Sequence, residues 1–309
     1  MTEEQNLFNK LEKLATEQRN EASMKIDVAS PKEIVRIINE EDQKVAKLVS
    51  KRADVIAEAV ELISESFNLG GKLFYFGAGT SGRLGVVDAS ECPPTFGSHP
   101  ELVQGFIAGG KDAMYAAKEG AEDYEENGAE EIWDKNVTPL DVVCGLAASG
   151  RTPYVVGAIN EAKRIGCKTI LVTTVPREQV DVQPDIIIDV PVGPEVVMGS
   201  TRMKSGTAQK MVLNMLTTGA MIRQGKVYEN VMVDLQLTNK KLVERAKRII
   251  MMFTDLDYTS ATSILNEADN HVKTAIVMAL GKVDKDEAKA ILDKKNGFIR
   301  KAIEELSAK

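Results

Sequence analysis

The chain has 309 residues, 43% of them hydrophobic, enough to bury a large core and too apolar for a disordered protein. Its formal net charge of −7 leaves no dominant basic surface, which argues against a nucleic-acid partner and against a polybasic membrane anchor. No apolar run approaches the roughly 18 residues that span a bilayer, so a cytoplasmic protein with no membrane partner is expected.

Up to about residue 68 the pattern is helical, in IVRIINEEDQKVAKLV and RADVIAEAVELISESF. Ser30-Pro31 supplies an N-cap and a first-turn proline, and Gly70-Gly71 a stop. Short, fully apolar runs follow, separated by helical segments: KLFYF (72–76), LVQGFIA (102–108), DVVCGLA (141–147), KTILVTT (168–174) and DIIIDV (185–190). Runs apolar on both faces are strands covered on both sides, so an α/β fold with a parallel sheet wrapped by helices is expected. From about residue 205 the pattern is helical again, through SGTAQKMVLNMLTTGAMIRQG and VMVDLQLTNKKLVERAKRIIMMF. In the tail, TAIVMALG ends on Gly281, Asp284 and Glu287 form a capping-box-like start, and Asn296-Gly297 closes the next helix. The expected division is an N-terminal helical segment (1–50), a core domain with flanking helices (51–250) and a small C-terminal helical module (251–309).

Residue counts narrow the chemistry. Cys92, Cys144 and Cys167 have no CxxC spacing, so neither a disulfide framework nor a zinc knuckle is indicated. With His99 and His271 as the only histidines there is no HExxH pair, no histidine-rich metal cluster and little room for a Ser-His-Asp triad. Carboxylates, hydroxyls, lysine and arginine remain.

The first apolar run ends in FGAGTSGR (76–83), the setting of an anion-binding loop. GAGTSG fits the dinucleotide pattern, but the nearest acidic candidate for a ribose contact, Asp112, comes about 30 positions after Gly82 rather than about 20. Cys92-Pro93-Pro94 is expected to limit the following helix to two or three turns, and the Walker lysine is missing. A smaller phosphorylated ligand fits better. DVVCGLA is followed by Ala148-Ser149-Gly150-Arg151-Thr152-Pro153, so two strand ends carry Ser-Gly-Arg, with Thr80 and Thr152 close by. A third hydroxyl-rich segment, Gly199 to Thr207, opens the next helix and includes Arg202 and Lys204. Any one of these can be a plain N-cap. Loops at carboxyl ends of neighbouring strands converge on one crevice, however, where helix N-termini present free amides, and three together favour phosphate with room for a sugar.

Two glutamates stand beside these loops: Glu91 in DASECPPTFG, and Glu122 in KEGAEDYEENG, expected on the helical segment after LVQGFIAGG. A helical glutamate is ordinarily solvated surface, and it is the neighbouring crevice that makes these two candidates.

GAGTSGRLGVVDASECPPTFG, with TEQRN, LVQGFIAGG, EGAED, AASGRTPYV, GSTRMKSGTAQK and KVYENVMVDLQLTNKKLVERA, resembles the N-acetylmuramic acid 6-phosphate etherases from about residue 14 to 250, in order. The resemblance implies a sugar isomerase (SIS) domain, a flavodoxin-like doubly wound parallel sheet. It implies removal of D-lactate from N-acetylmuramic acid 6-phosphate in cell-wall sugar recycling, without metal or organic cofactor. By similarity Glu91 is the acid for lactate departure and base for water addition, and Glu122 the C2 base. Ser81, Ser149 and Thr152 take the phosphate, with Thr80, Gly82 and Gly150 shaping the loops. Arg202 and Lys204 are assigned to lactate carboxylate or phosphate from charge alone. A homodimer is expected, with TEQRN contributing across its interface. A sugar-phosphate sensor related to glucokinase regulatory protein and an aldose-ketose isomerase are the alternatives.

Overall fold

The computed structural model of the chain describes residues 15–237 and 239–308. By its internal contacts the chain forms two units, one of residues up to 90 together with 101–217, the other of 91–100 together with 218–309. The sequence pattern alone sets the last boundary at 250/251.

The first unit holds the sheet. All five apolar runs are strands: β1 (Leu73–Gly77), β2 (Val103–Ile107), β3 (Val142–Leu146), β4 (Lys168–Thr173) and β5 (Ile186–Asp189). They are parallel and ordered β2-β1-β3-β4-β5, the flavodoxin-like order. β1 and β3 are buried at every position, as their uninterrupted apolar runs require, whereas β2 at one edge is only partly covered.

Helix α1 (Pro31–Ser50) starts where the Ser30 hydroxyl accepts the Glu33 N–H, with Pro31 in the first turn. Helix α2 (Ala53–Asn68) stops before Gly70, whose φ of 85° lies in the left-handed region. Helix α3 (Gly79–Phe96) is longer than expected and runs through Pro93 and Pro94. The prolines fall in its last turn, where few intrahelical bonds are lost, and the Gly97 N–H still closes on the Pro93 carbonyl at 2.9 Å. Helices α4 (Glu125–Asp134), α5 (Pro153–Ile165) and α6 (Lys204–Arg223) complete the unit, α6 continuing into the second.

In the second unit a hairpin of β6 (Val227–Tyr228) and β7 (Val231–Met232) precedes α7 (Lys240–Phe253). The expected helix through VMVDLQ does not form. The backbone at Asn239 is extended and its side chain accepts the Leu242 N–H at 3.0 Å, so the helix begins there. The tail folds as α8 (Tyr258–Glu267), α9 (Val272–Gly281), α10 (Lys285–Lys294) and α11 (Ile299–Ser307). Val272 through Met278 of α9 are all buried, so α9 is the centre of this module. The Asp284 cap on the Glu287 N–H at 2.9 Å and the left-handed Asn296 and Gly297 stand where the pattern placed them. Asp234, after the hairpin, meets Lys226 at 2.9 Å and Lys273 at 2.7 Å and so ties the hairpin to α9.

The start of α6 is held by a buried ion pair in the first unit. Lys204 Nζ lies 2.7 Å from Glu41 Oε2 of α1, with side chains 2% and 4% exposed. Asn20 Nδ2 donates to the same oxygen at 2.9 Å, and Lys44 to the other. Burial alone would raise the Glu41 carboxyl, but the hydrogen bonds from Lys204, Lys44 and Asn20 outweigh it and hold the pKa at about 2. With a folded pKa of about 2 against an ordinary 4.5, this carboxylate stabilises fully above pH 4.5 and loses its contribution as pH falls through about 2. Glu41→Gln keeps the shape and strands a buried ammonium, and is expected to cost about 3–5 kcal/mol in urea unfolding at neutral pH. The difference from the unsubstituted protein should shrink in acid, and a loss under about 1 kcal/mol at neutral pH would contradict a stabilising pair.

Candidate active site

The turn from β1 into α3 is dictated by close approach. A Cβ on Gly82 would lie 2.7 Å from the Gly77 carbonyl oxygen, and one on Gly77 would lie 2.7 Å from the Gly82 nitrogen. Strand and helix touch backbone to backbone, so two of the fingerprint glycines answer to packing. Ser81 is thereby set in the first turn of α3, 9% exposed, its hydroxyl donating to Gln209 Oε1 of α6 at 2.8 Å. Gly206 of α6 lies against Thr80: a Cβ there would meet Thr80 Cγ2 at 3.4 Å. The first and third hydroxyl-rich segments therefore meet.

The second segment stands beside the first because Gly77 and Leu146, the last residues of β1 and β3, are paired in register. The Ala148 carbonyl accepts from the Thr173 and Thr174 hydroxyls, both at 3.1 Å, which anchors the loop to the end of β4. Gly150 has a φ of 69°, which favours glycine. Ser149 is half-buried and its hydroxyl oxygen accepts the Arg151 N–H at 3.4 Å. Thr152 occupies the N-cap of α5, yet its side chain makes no capping bond, so this hydroxyl is not spent on the helix. The first-turn amides of α5 are already engaged, Tyr154 donating to the Glu122 carbonyl at 3.0 Å and Val155 and Val156 to the Thr152 carbonyl at 2.9 and 3.0 Å.

The two arginines of the Ser-Gly-Arg echo are braces. Arg83 donates to the carbonyls of Ala113 at 2.6 Å and Met114 at 3.1 Å. Arg151 donates to the Gln179 carbonyl at 2.7 Å and faces Asp181 at 3.5 Å. Each repeat offers a hydroxyl and glycine to the crevice and uses its guanidinium to fix the neighbouring loop.

A cavity of about 130 Å³ opens next to the first loop, lined by Ala78, Gly79, Arg83, Glu119 and Glu122 among others. Glu122 is not on a helix. Gly120 (φ 74°) turns the chain, α4 begins only at Glu125, and the Glu122 carbonyl accepts the Tyr154 N–H at 3.0 Å. Its side chain is open to the cavity mouth, and desolvation by the walls, then the charges of Asp123 and Glu119, raise its pKa above the ordinary glutamate value. A carboxylate shifted upward is a better proton acceptor near neutral pH.

Lys204, Arg202 and Glu91 differ in their surroundings. Lys204 is withdrawn from any ligand by burial and by Glu41; charge alone could not reveal its partner, 163 positions away in sequence. Arg202 is exposed and forms no ion pair among the described residues, so of the two cations only it is available. Glu91 is exposed in the last third of α3 and belongs to the second unit. TEQRN lies against its own chain, Asn20 donating to the Pro194 carbonyl at 3.0 Å and the Thr16 carbonyl accepting the Gly199 N–H at 3.2 Å.

A family model described as "SIS domain" matches residues 110–219, and one described as "Glucokinase regulatory protein N-terminal SIS domain" matches residues 55–163. An N-acetylmuramic acid 6-phosphate etherase of Salinibacter ruber is 59% identical over 98% of this chain and 98% of its own length. The chain belongs to the N-acetylmuramic acid 6-phosphate etherase family. The Clostridium beijerinckii etherase is 55% identical over 97% of this chain and 98% of its own. Among solved structures, a phosphoheptose isomerase of Neisseria gonorrhoeae covers 62% of this chain and 98% of its own at 14% identity, TM-score 0.44.

Residue by residue, family resemblance pointed to neither Gln209 nor the anchors Thr173 and Thr174. The surroundings of Glu122 give a direct check. A carbon-detected NMR titration of its carboxyl is expected to have a midpoint above 4.5, moving down in Asp123→Asn. A midpoint at the ordinary value, unmoved by that substitution, would remove the cavity's influence.

Proposed function

We propose that this chain cleaves the lactyl ether of N-acetylmuramic acid 6-phosphate to N-acetylglucosamine 6-phosphate and D-lactate by elimination followed by hydration. The observation that carries this reading is Glu122, a carboxylate of raised pKa lining one cavity with the glycine loop of β1. Family membership supplies the substrate.

An alkyl ether is a poor leaving group, so the difficult bond is broken next to an acidified carbon. In the ring-opened sugar the C1 aldehyde acidifies the C2 proton, which Glu122 removes. The C3–O bond breaks as Glu91 protonates the departing lactate oxygen, leaving an unsaturated aldehyde. Glu91, now a carboxylate, takes a proton from water as its oxygen adds to C3, and C2 is reprotonated. Two carboxyl groups in different surroundings can carry these roles without histidine. Ser81, Ser149 and Thr152 hold the phosphate through their hydroxyls, with Thr80, Gly82 and Gly150 shaping the loops. Arg202 is the cation for the lactate carboxylate.

A homodimer is part of this reading. Sugar isomerase crevices are often completed by a partner chain, and we place the Glu91 of one copy at the Glu122 cavity of the other. The cytoplasm is the proposed compartment, in keeping with three free, buried cysteines; no helix among the described residues is long and apolar enough to cross a membrane.

Incubation with N-acetylmuramic acid 6-phosphate is expected to release D-lactate, with loss of about 10²-fold or more in Glu91→Gln and in Glu122→Gln at unchanged fold. In heavy water the product must carry deuterium at C2, and unlabelled product sinks the elimination. Binding without release would favour a sugar-phosphate sensor. Mixing Glu91→Gln with Glu122→Gln protein should restore activity through mixed dimers that keep one intact site, and no recovery after subunit exchange would overturn the shared site.

A further inference from the structure

Two buried polar atoms of α6 have no hydrogen-bond partner among the described residues: Ser205 Oγ and Gln209 Nε2. The residues are 0% and 1% exposed and stand one turn apart, which puts them on one face of the helix. Gln209 reaches Ser81 from that face, accepting its hydroxyl proton through Oε1 at 2.8 Å.

This arrangement is the wrong polarity for a phosphate. A phosphate ester near neutral pH presents mainly acceptor oxygens. Ser81 has one proton, and while Gln209 Oε1 takes it, the serine turns only lone pairs to a ligand. Meanwhile two amide N–H groups and one hydroxyl lie buried without acceptors, a cost that native interiors seldom carry. One rearrangement gives one of these N–H groups an acceptor and reverses the polarity at Ser81. The two ends of a glutamine amide have nearly the same shape, so a half-turn about the last side-chain torsion exchanges them. Nε2 then donates one N–H to Ser81 Oγ, and Oε1 becomes an acceptor on the helix face that also carries Ser205.

We propose that Gln209 is a positioning residue that sets the direction of the Ser81 hydroxyl, through a relay in which Ser205 donates to Gln209, Gln209 to Ser81, and Ser81 to a phosphate oxygen. No proton is transferred; three donors are aligned toward the anion. The relay rests on the assignment of Ser81 to phosphate proposed above.

Inorganic phosphate is the probe, because it requires neither the lactyl ether nor turnover. In Gln209→Met, of similar volume and without donors, the phosphate Kd is expected to rise about 10-fold, the loss of one hydrogen bond to a charged group. In a Ser81→Ala background the same substitution should add less than about 2-fold, since its effect passes through that hydroxyl. Ser205→Ala should weaken phosphate in the same direction by less. With substrate, the change is expected in KM, with kcat moving less than about threefold. Equal effects of Gln209→Met with and without Ser81, or an unchanged phosphate Kd, overturn the relay. Absence of lactate release by the unsubstituted protein overturns the etherase reading while leaving the phosphate result standing. If Gln209→Met does not fold, Gln209→Glu replaces it: its carboxylate can only accept, so its deficit relative to the unsubstituted protein should narrow as pH is lowered and the side chain regains a proton to donate. A deficit independent of pH counts against the relay.

Discussion

Everything at the site depends on β1 lying between β2 and β3. The first strand of the chain is hydrogen-bonded on both sides, so later strands must be added outward in two directions, and the loops leaving β1 and β3 stand next to each other at the reversal. The helices that follow start from neighbouring strand ends, and each loop carries a serine and a glycine. An anion can be held there by amide and hydroxyl donors without a basic patch, in keeping with a chain of net charge −7. The contact of Gly77 with Gly82 makes that approach possible, because any Cβ would push α3 off the end of β1.

The charges buried in the first unit are spent on position rather than on ligand. Glu195, fully buried, accepts the N–H groups of Lys204 and Ser205 at 2.9 Å each and so caps α6, while the Lys204 side chain is pinned by Glu41 and, through it, by Asn20. Buried pairs of this kind add little net stability over an apolar filling, yet losing one partner is costly. The result is that the first turns of α6, with Gly206 and Gln209, stay against Thr80 and Ser81. A third carboxylate serves the same end: Asp88 of α3 accepts from Tyr75 of β1 at 3.1 Å and from Asn214 of α6 at 3.0 Å. Burial raises its pKa, offset in part by these hydrogen bonds.

Much of this was legible residue by residue. Ser30-Pro31, Gly70 and Asp284 act locally, through caps and left-handed φ, and stand where the pattern set them. The glycine loop and its echo were legible for the same reason, since strand, turn and helix N-terminus are neighbours in sequence. Local cues misled where two of them competed. Pro93 and Pro94 read as an early stop but fall in a last turn that tolerates them, and VMVDLQ has helical spacing yet yields to the Asn239 cap and to pairing of Val231–Met232 with Val227–Tyr228. Glu122 read as helical because nothing in KEGAEDYEENG announces that the helix waits until Glu125.

The sequence by itself determined the class of fold, the strand ends that carry hydroxyls, and, through its family blocks, the reaction, because each is encoded in contiguous residues. Only the tertiary structure decided which polar groups are free. Lys204 and Arg202 are two positions apart and chemically alike, yet one meets a carboxylate on a distant helix and the other meets solvent. Thr152 sits at a helix start and does not cap it, while Gln209, silent in sequence, holds the Ser81 hydroxyl. Hydrogen bonding and burial depend on what the chain brings from far away, and that is settled by the order of strands in the sheet, not by neighbours along the chain.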